Sequence, residues 1–239
     1  MNIPDKVILN ERMKKIRLKA EKAAQESGRN FEEIKIIAVS KTHPVEYIYN
    51  AMDAGIQVFG ENYAQELRDK FAAFEASKRK NPEWHYIGGL QRSNVKLITP
   101  FVDMIHSVDS EKILMEVSKR AGHVDRNIDI LIQVNTSGER AKSGCEPEDA
   151  VDLVSMAMES ANIKVKGLMT IGTFTDDDAI RIREFSLLRN TLESINTQLG
   201  INLKELSMGM TSDYPLAIKE GATMVRVGTA LFGERDYNN

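Results

Sequence analysis

At 239 residues, with 42% hydrophobic and 28% charged side chains, the chain has the composition of a globular protein with a sizeable core, outside the disordered and fibrous classes. Its 32 Lys and Arg against 35 Asp and Glu give a net charge of -3, so nothing marks nucleic acid or an anionic membrane as a partner and a small molecule is expected instead. No window approaches the ~18 consecutive apolar residues of a membrane span and the N-terminus lacks the apolar run of a signal peptide; with a single cysteine, Cys145, this predicts a cytoplasmic protein without an internal disulfide.

Residues 5 to 28 read as an amphipathic, charged helix. Short β-rich runs then recur at 34–40 (IKIIAVS), 57–62, 83–89, 103–109, 129–137, 165–172, 205–210 and 223–229. Between them lie helical patterns such as 45–55 (VEYIYNAMDAG), 111–122, 148–162 and 183–200, several ending in the Gly expected just past a helix C-terminus. The TDDD run at 175–178 reads as a polar loop and the first turn of the helix beginning near Ala179. The polar setting of Cys145 predicts an exposed thiol without a catalytic role. Eight alternating strand and helix units, with continuous apolar strands, predict a parallel sheet covered on both faces. At this length the economical closure is a single-domain (β/α)8 TIM barrel over 1–239 with an extra N-terminal helix.

In such a barrel, sites lie at the C-terminal ends of the strands. Lys41, Glu61-Asn62-Tyr63, Asn135-Thr136-Ser137, Ser207, Thr211, Arg226 and Gly228-Thr229 all fall there and are expected to converge. A lysine leaving a strand usually just reaches water. At an apolar mouth, however, its amine is desolvated, its pKa falls, and it can hold an aldehyde. Gly228-Thr229 before ALFG and the Ser207-to-Thr211 turn would present backbone N–H groups and hydroxyls where this fold commonly binds phosphate, although tight turns alone also use glycines. Arg226 alternates with Val225 and Val227; if the valines pack outward, its guanidinium points into the barrel, either to an acidic neighbour such as Glu61 or to a ligand. The histidines at 43, 85, 106 and 123 have no metal-binding spacing, and no GxSxG elbow is present.

The blocks IIAVSKTHPVE, FGENYAQEL, WHYIGGLQ, VNTSGERAKSG, KGLMTIG and SMGMTSDYPLAIKEGATMVRVGTALFGERDY resemble, in order and spacing, the pyridoxal phosphate homeostasis protein family. This is also known as the proline synthase co-transcribed or alanine racemase N-terminal domain-like family, and the likeness runs from about Ile34 to Tyr237. It implies a barrel like the N-terminal domain of alanine racemase, with Lys41 matching the lysine that forms an internal imine (a Schiff base) with pyridoxal 5'-phosphate. By the same likeness, Asn62 matches a position beside the cofactor ring and His85 one near it. Ser207, Thr211, Gly228 and Thr229 match phosphate-side positions, and Arg226 lies near the cofactor.

Two function classes follow from the resemblance: a cofactor carrier in vitamin B6 homeostasis, or a PLP-dependent amino-acid racemase or related enzyme. The racemase-like fold draws a second acid/base from a separate C-terminal domain, and the chain stops at Asn239 without room for it. Tyr63, His85 and Tyr237 are the side chains that could take that place. The expectation is a monomeric carrier rather than an enzyme, making transient contacts with apo PLP enzymes.

Overall fold

A strand that is apolar on both faces needs helices outside it and packed side chains inside it. Eight such strands meet both needs by closing on themselves. The computed structural model describes residues 3–234. In chain order it runs α1 (Lys6–Glu26), a 3-10 turn (Phe31–Glu33), β1 (Lys35–Val39), α2 (Val45–Asp53), β2 (Val58–Glu61), α3 (Ala64–Ser77), β3 (Glu83–Tyr86) and α4 (Arg92–Ile98). There follow β4 (Met104–Val108), α5 (Glu111–His123), β5 (Ile128–Gln133), a second 3-10 turn (Pro147–Asp149), α6 (Ala150–Glu159), β6 (Ile163–Met169) and α7 (Asp178–Leu199). The last elements are β7 (Glu205–Met210), α8 (Tyr214–Lys219), β8 (Met224–Val227) and α9 (Thr229–Phe232). Every strand pairs in parallel with its successor, and β8 pairs with β1 through Ile36↔Val225 and Ile37↔Arg226, so the sheet is a closed (β/α)8 barrel.

The first helix begins where Asp5 accepts hydrogen bonds from the N–H groups of Val7 (2.9 Å) and Ile8 (3.0 Å). It buries Leu9, Met13, Ile16, Ala20 and Ala23, a stripe at helical spacing, against α2, α8 and α9. Arg12 donates to the carbonyl of Leu231 and Arg29 to those of Ile218 and Ala222, which ties this helix across the β8–β1 seam where the barrel closes. The core has two shells. Outside the wall, Phe59, Trp84, Tyr86, Val225 and Val227 pack with the helices. Inside it, Ile37, Met104, Leu131, Met169 and Met224 pack on one another.

Most strands stop earlier than their apolar runs suggest: β3 ends at Tyr86, β5 at Gln133 and β8 at Val227. The residues that leave the ladder, such as Ile87-Gly88-Gly89 after β3 and Gly228-Thr229 after β8, turn away to form the loops of the barrel mouth. Asp177 caps α7 by accepting from the Ala179 N–H (2.9 Å), as the TDDD run suggests. Gly122 lies inside α5 rather than beyond it. Cys145 is half-buried, not exposed: its backbone bridges to Gln133 and Asn135, and burial with Asp149 nearby pushes its thiol up to about 12, which leaves it inert. Among the described residues no helix is long and apolar enough to cross a membrane, and no cluster of His, Cys, Asp and Glu could hold a metal.

Strand β6 runs so close to β7 that a methyl group on Gly167 would overlap the backbone oxygen of Glu205. Gly167→Ala must therefore push these neighbouring barrel strands apart and is expected to cost about 3 kcal/mol, read as a lower urea midpoint at unchanged m-value. A loss below ~0.5 kcal/mol would show that this seam is not tightly packed.

Candidate functional site

The strand C-termini surround a cavity of about 480 Å³. Lys41 enters it from the turn after β1, Asn62 from the end of β2, Thr211 and Ser212 from the turn after β7, and Arg226, Gly228 and Thr229 from β8 and the start of α9. Val39, Ile87, Ile171 and Met210 form apolar walls, and Phe174 stands at the rim with its side chain 99% exposed. Among the described residues, two cationic side chains, three hydroxyls and an amide line this space, and no carboxylate does. That is a set of groups suited to an anion with an apolar body.

The turn that carries Lys41 is held from behind the wall. The ammonium of Lys70, on α3, spends all three of its donors there: on the Ser40 carbonyl (2.8 Å), on Glu61 Oε1 (2.6 Å) and on Glu66 Oε1 (2.7 Å). Ser40 Oγ donates to the same Glu61 oxygen (2.6 Å), and the Thr42 N–H donates to the same Glu66 oxygen (2.7 Å). Both neighbours of Lys41 in the chain are thus fixed to one buried ion cluster. Burial pushes the Glu61 carboxyl up, against the pull of Lys70. Thr42 adopts φ 66°, a left-handed conformation that a β-branched residue seldom takes and that costs on the order of 1–3 kcal/mol. Its hydroxyl donates to the Lys41 carbonyl (2.6 Å).

Asn62 owes its position to Gly88: any side chain there would overlap the Asn62 backbone, so the loop after β3 can press directly on it. Its Oδ1 is buried without a hydrogen-bond partner among the described residues. Across the cavity the Gly228 N–H donates to Thr211 Oγ1 (3.2 Å), which brings the turns after β7 and β8 together.

Six of the eight residues singled out from sequence line this cavity; Ser207 and His85 do not. Both are fully buried one layer below the mouth, where Ser207 Oγ meets Arg226 Nη1 (2.6 Å) and His106 Nδ1 (2.9 Å) and His85 meets His106 and Glu83. Val225 and Val227 pack outward and Arg226 points inward, yet Arg226 does not pair with Glu61, whose partner is Lys70 on the other side of the wall. The guanidinium donates to Ser207 and to the Thr170 carbonyl (2.8 Å), and burial draws it down to about 10, so it stays cationic at neutral pH. The Asn135-Thr136-Ser137 turn does not reach the cavity; Thr136 bonds to Thr170 (2.9 Å), behind the arginine's acceptor. Tyr63 is exposed and lines a neighbouring recess, and Tyr237 lies outside the described residues. Sequence reasoning missed Lys70, His106, Thr170 and Ser212. Lys70 carries a faint signal in its i, i+4 spacing from Glu66, but that spacing is equally common on solvated helix faces.

The alanine racemase N-terminal domain model matches residues 14–236. A pyridoxal phosphate homeostasis protein of Aquifex aeolicus is 40% identical over 227 residues, covering 95% of this chain and 98% of the relative. The chain belongs to the pyridoxal phosphate homeostasis protein family. The protein of that name from Schizosaccharomyces pombe is 39% identical over 212 residues, covering 87% of this chain and 86% of the relative. PipY of Synechococcus elongatus, solved with PLP bound, superposes with a TM-score of 0.83 at 32% identity, covering 94% of this chain and 100% of PipY. An alanine racemase from Streptomyces lavendulae shares the fold at a TM-score of 0.68 and 17% identity, covering 96% of this chain and 57% of the racemase.

The Glu83 carboxyl, below the cavity, is held down to about 2, chiefly by its hydrogen bond with His85 and further by Lys35, while burial opposes both. Because the folded pKa lies below the ordinary value of 4.5, the folded state binds fewer protons between these limits. The stability this supplies is complete above pH 4.5 and is lost as pH falls toward 2. Urea unfolding across that range is expected to show a steeper acid loss in the wild type than in Glu83→Gln, and parallel curves would contradict this account of Glu83.

Proposed function

We propose that the cavity binds pyridoxal 5'-phosphate and that the protein serves as a carrier of it in vitamin B6 homeostasis. The single observation that carries this reading is the pairing, on one cavity, of the Lys41 amine with a hydroxyl-bearing turn pair at Thr211 and Gly228-Thr229. Bound pyridoxal phosphate supplies an aldehyde that condenses reversibly with an amine, an electron-withdrawing ring and a phosphate dianion. Lys41 is the amine on this chain that meets the aldehyde, held ready by the clamps on Ser40 and Thr42. Thr211, Ser212 and Thr229 are the hydroxyl donors that would hold the phosphate, and Val39, Ile87 and Met210 the apolar groups that would lie against the ring. Asn62 also lines the cavity, and its buried Oδ1 has no hydrogen-bond partner among the described residues. The PLP bound to PipY and the names of the relatives agree with this reading.

The carrier reading is favoured over turnover by the choice of side chains. Racemisation moves a proton on and off two faces and needs two groups able to exchange it. Of the described lining residues, Lys41 is the one with such a group; Tyr63 turns to another recess and His85 is sealed in the barrel interior. Arg226, a lasting cation, also disfavours a second positive charge on any ring nitrogen placed beside it, which weakens the electron sink of carbanion chemistry. We further infer a monomeric cytoplasmic carrier whose mouth meets apo PLP enzymes transiently.

Borohydride reduction of the PLP-loaded protein, followed by peptide mapping, is expected to place the adduct on Lys41 and to give none in Lys41→Ala; an adduct centred on another lysine would overturn the assignment. In the same series, Thr211→Val and Thr229→Val are expected to raise the Kd for pyridoxal phosphate roughly ten- to a hundredfold while leaving that for pyridoxal nearly unchanged. Equal losses for both ligands would place the phosphate elsewhere. For the carrier reading, incubation with L-amino acids in deuterated water is expected to give no α-proton exchange above that of free cofactor, and sustained exchange by the protein would restore the racemase.

A further inference from the structure

The barrel interior is mostly apolar, yet one file of polar groups runs through it from mouth to floor. Arg226 Nη1 meets Ser207 Oγ at 2.6 Å, and Ser207 Oγ meets His106 Nδ1 at 2.9 Å across the barrel from β7 to β4. His106 Nε2 meets His85 Nδ1 at 2.8 Å, and His85 Nε2 meets Glu83 Oε1 at 2.7 Å. Glu83 Oε1 also accepts from Lys35 Nζ at 2.6 Å. Lys35 and Glu83 are the first residues of their strands, so they sit at the floor, at the opposite end from the cavity. Ser207, His85 and His106 are fully buried, and no water is needed to complete any step.

With both imidazoles neutral, the two ends of the file fix its direction. A guanidinium can only donate, and an ionised carboxylate can only accept. Glu83 therefore requires the proton of His85 on Nε2. With that ring neutral, its Nδ1 is bare and must accept from His106 Nε2–H. The His106 Nδ1 is then bare as well, and the Ser207 hydroxyl, whose oxygen already accepts from Arg226, donates to it. All four contacts are filled, each by one proton, with every donor pointing away from the mouth. An extra proton on His85 would reverse the next two contacts and leave the Ser207 hydrogen with no acceptor in the file.

We propose that Arg226, Ser207, His106, His85 and Glu83 form one directional hydrogen-bond relay, and that Glu83 is thereby a positioning residue and remote counter-charge for Arg226 at the ligand cavity. Hydrogen bonds in such a file polarise one another, so the charge at the floor steadies the orientation of the guanidinium at the mouth. The relation is reciprocal: a ligand that draws on Arg226 changes the state of both imidazoles. The deep burial of His106, which pushes its pKa well below the ordinary value, agrees with a neutral ring. The link to ligand rests on the reading that the cavity takes pyridoxal phosphate, whereas the direction of the file does not.

The test uses the full chain labelled with ¹⁵N-histidine, whose four histidines give few enough signals to assign with His85→Gln and His106→Gln. Long-range ¹H–¹⁵N correlation at pH 7 without ligand is expected to show both rings neutral with the proton on Nε2. An imidazolium at His85, or a proton on Nδ1 of either ring, would overturn the relay. Saturating pyridoxal phosphate, with occupancy read by its visible absorbance, is expected to move the ring nitrogen signals of both histidines, and Ser207→Ala to abolish that response at His85. Glu83→Gln, compared with the wild type at pH 7 in samples shown to be folded by their urea curves, is expected to raise the Kd about threefold. Full occupancy with unmoved histidine signals and an unchanged Kd in Glu83→Gln would overturn the positioning role. Failure of the wild type to bind pyridoxal phosphate at all would instead sink the cofactor reading, and the ligand-free spectrum would still decide the direction of the file.

Discussion

A guanidinium keeps its proton at neutral pH, so burying one obliges the fold to bring acceptors to it. Arg226, only 5% exposed, sets that demand at the barrel mouth. Its acceptors come from β7, through Ser207, and from the residue after β6, through the Thr170 carbonyl, so three adjacent strands must keep their relative heights for the charge to be tolerated. The β7–β8 register shows how this is achieved. Ser207 pairs with Met224 and Met210 with Arg226, three steps along one strand against two along the other, which is a bulge. The extra residue lets Ser207 face the interior below the arginine while Met210 faces the cavity above it.

The same physics operates on the outer face of the wall. Lys70 is as deeply buried as Arg226, and it too is tolerated only because Ser40, Glu61 and Glu66 converge on it. The two charges divide the work. Arg226 organises the interior and offers its remaining face to the cavity, and Lys70 fastens both neighbours of Lys41 so that the amine arrives at the mouth on a rigid turn. Thr42 shows what this rigidity costs, since its left-handed backbone is unfavourable alone and persists because its N–H and hydroxyl are both engaged. Strain and buried charge both concentrate where a ligand group must be preorganised.

The eight strands were legible because each carries its own apolar run and each is followed by a helical pattern, and the inward aim of Arg226 was legible from the two valines that flank it. Depth was not. A strand buried on both faces shows no alternation of polar and apolar residues, so IIAV says nothing of which side chains enter the barrel. Bulges then shift the parity: counting from Arg226 does not reveal that Ser207 and Met210 both face inward. His106 was legible only as a histidine without metal spacing, because its role depends on contacts to β3 and β7 that lie 21 and 101 residues away in the chain. The importance of Lys41 was visible through family resemblance, since a lysine at a strand end has no intrinsic mark that separates it from one reaching for water.

Net charge and local charge point in opposite directions here, and the difference says how an anion is held. A chain of net charge -3 offers little long-range attraction to a phosphate. Among the described residues, the cavity lining nonetheless has two cationic side chains and no carboxylate: Glu61 and Glu66 turn to Lys70 outside the wall, Asp213 accepts from the Met210 N–H, and Glu83 sits at the floor. Placement of the described acids, rather than an excess of bases, leaves cations on this lining. It is also what a store of a reactive aldehyde requires, since a site that binds by fixed short-range contacts selects for phosphate, ring and aldehyde together and does not gather anions at large.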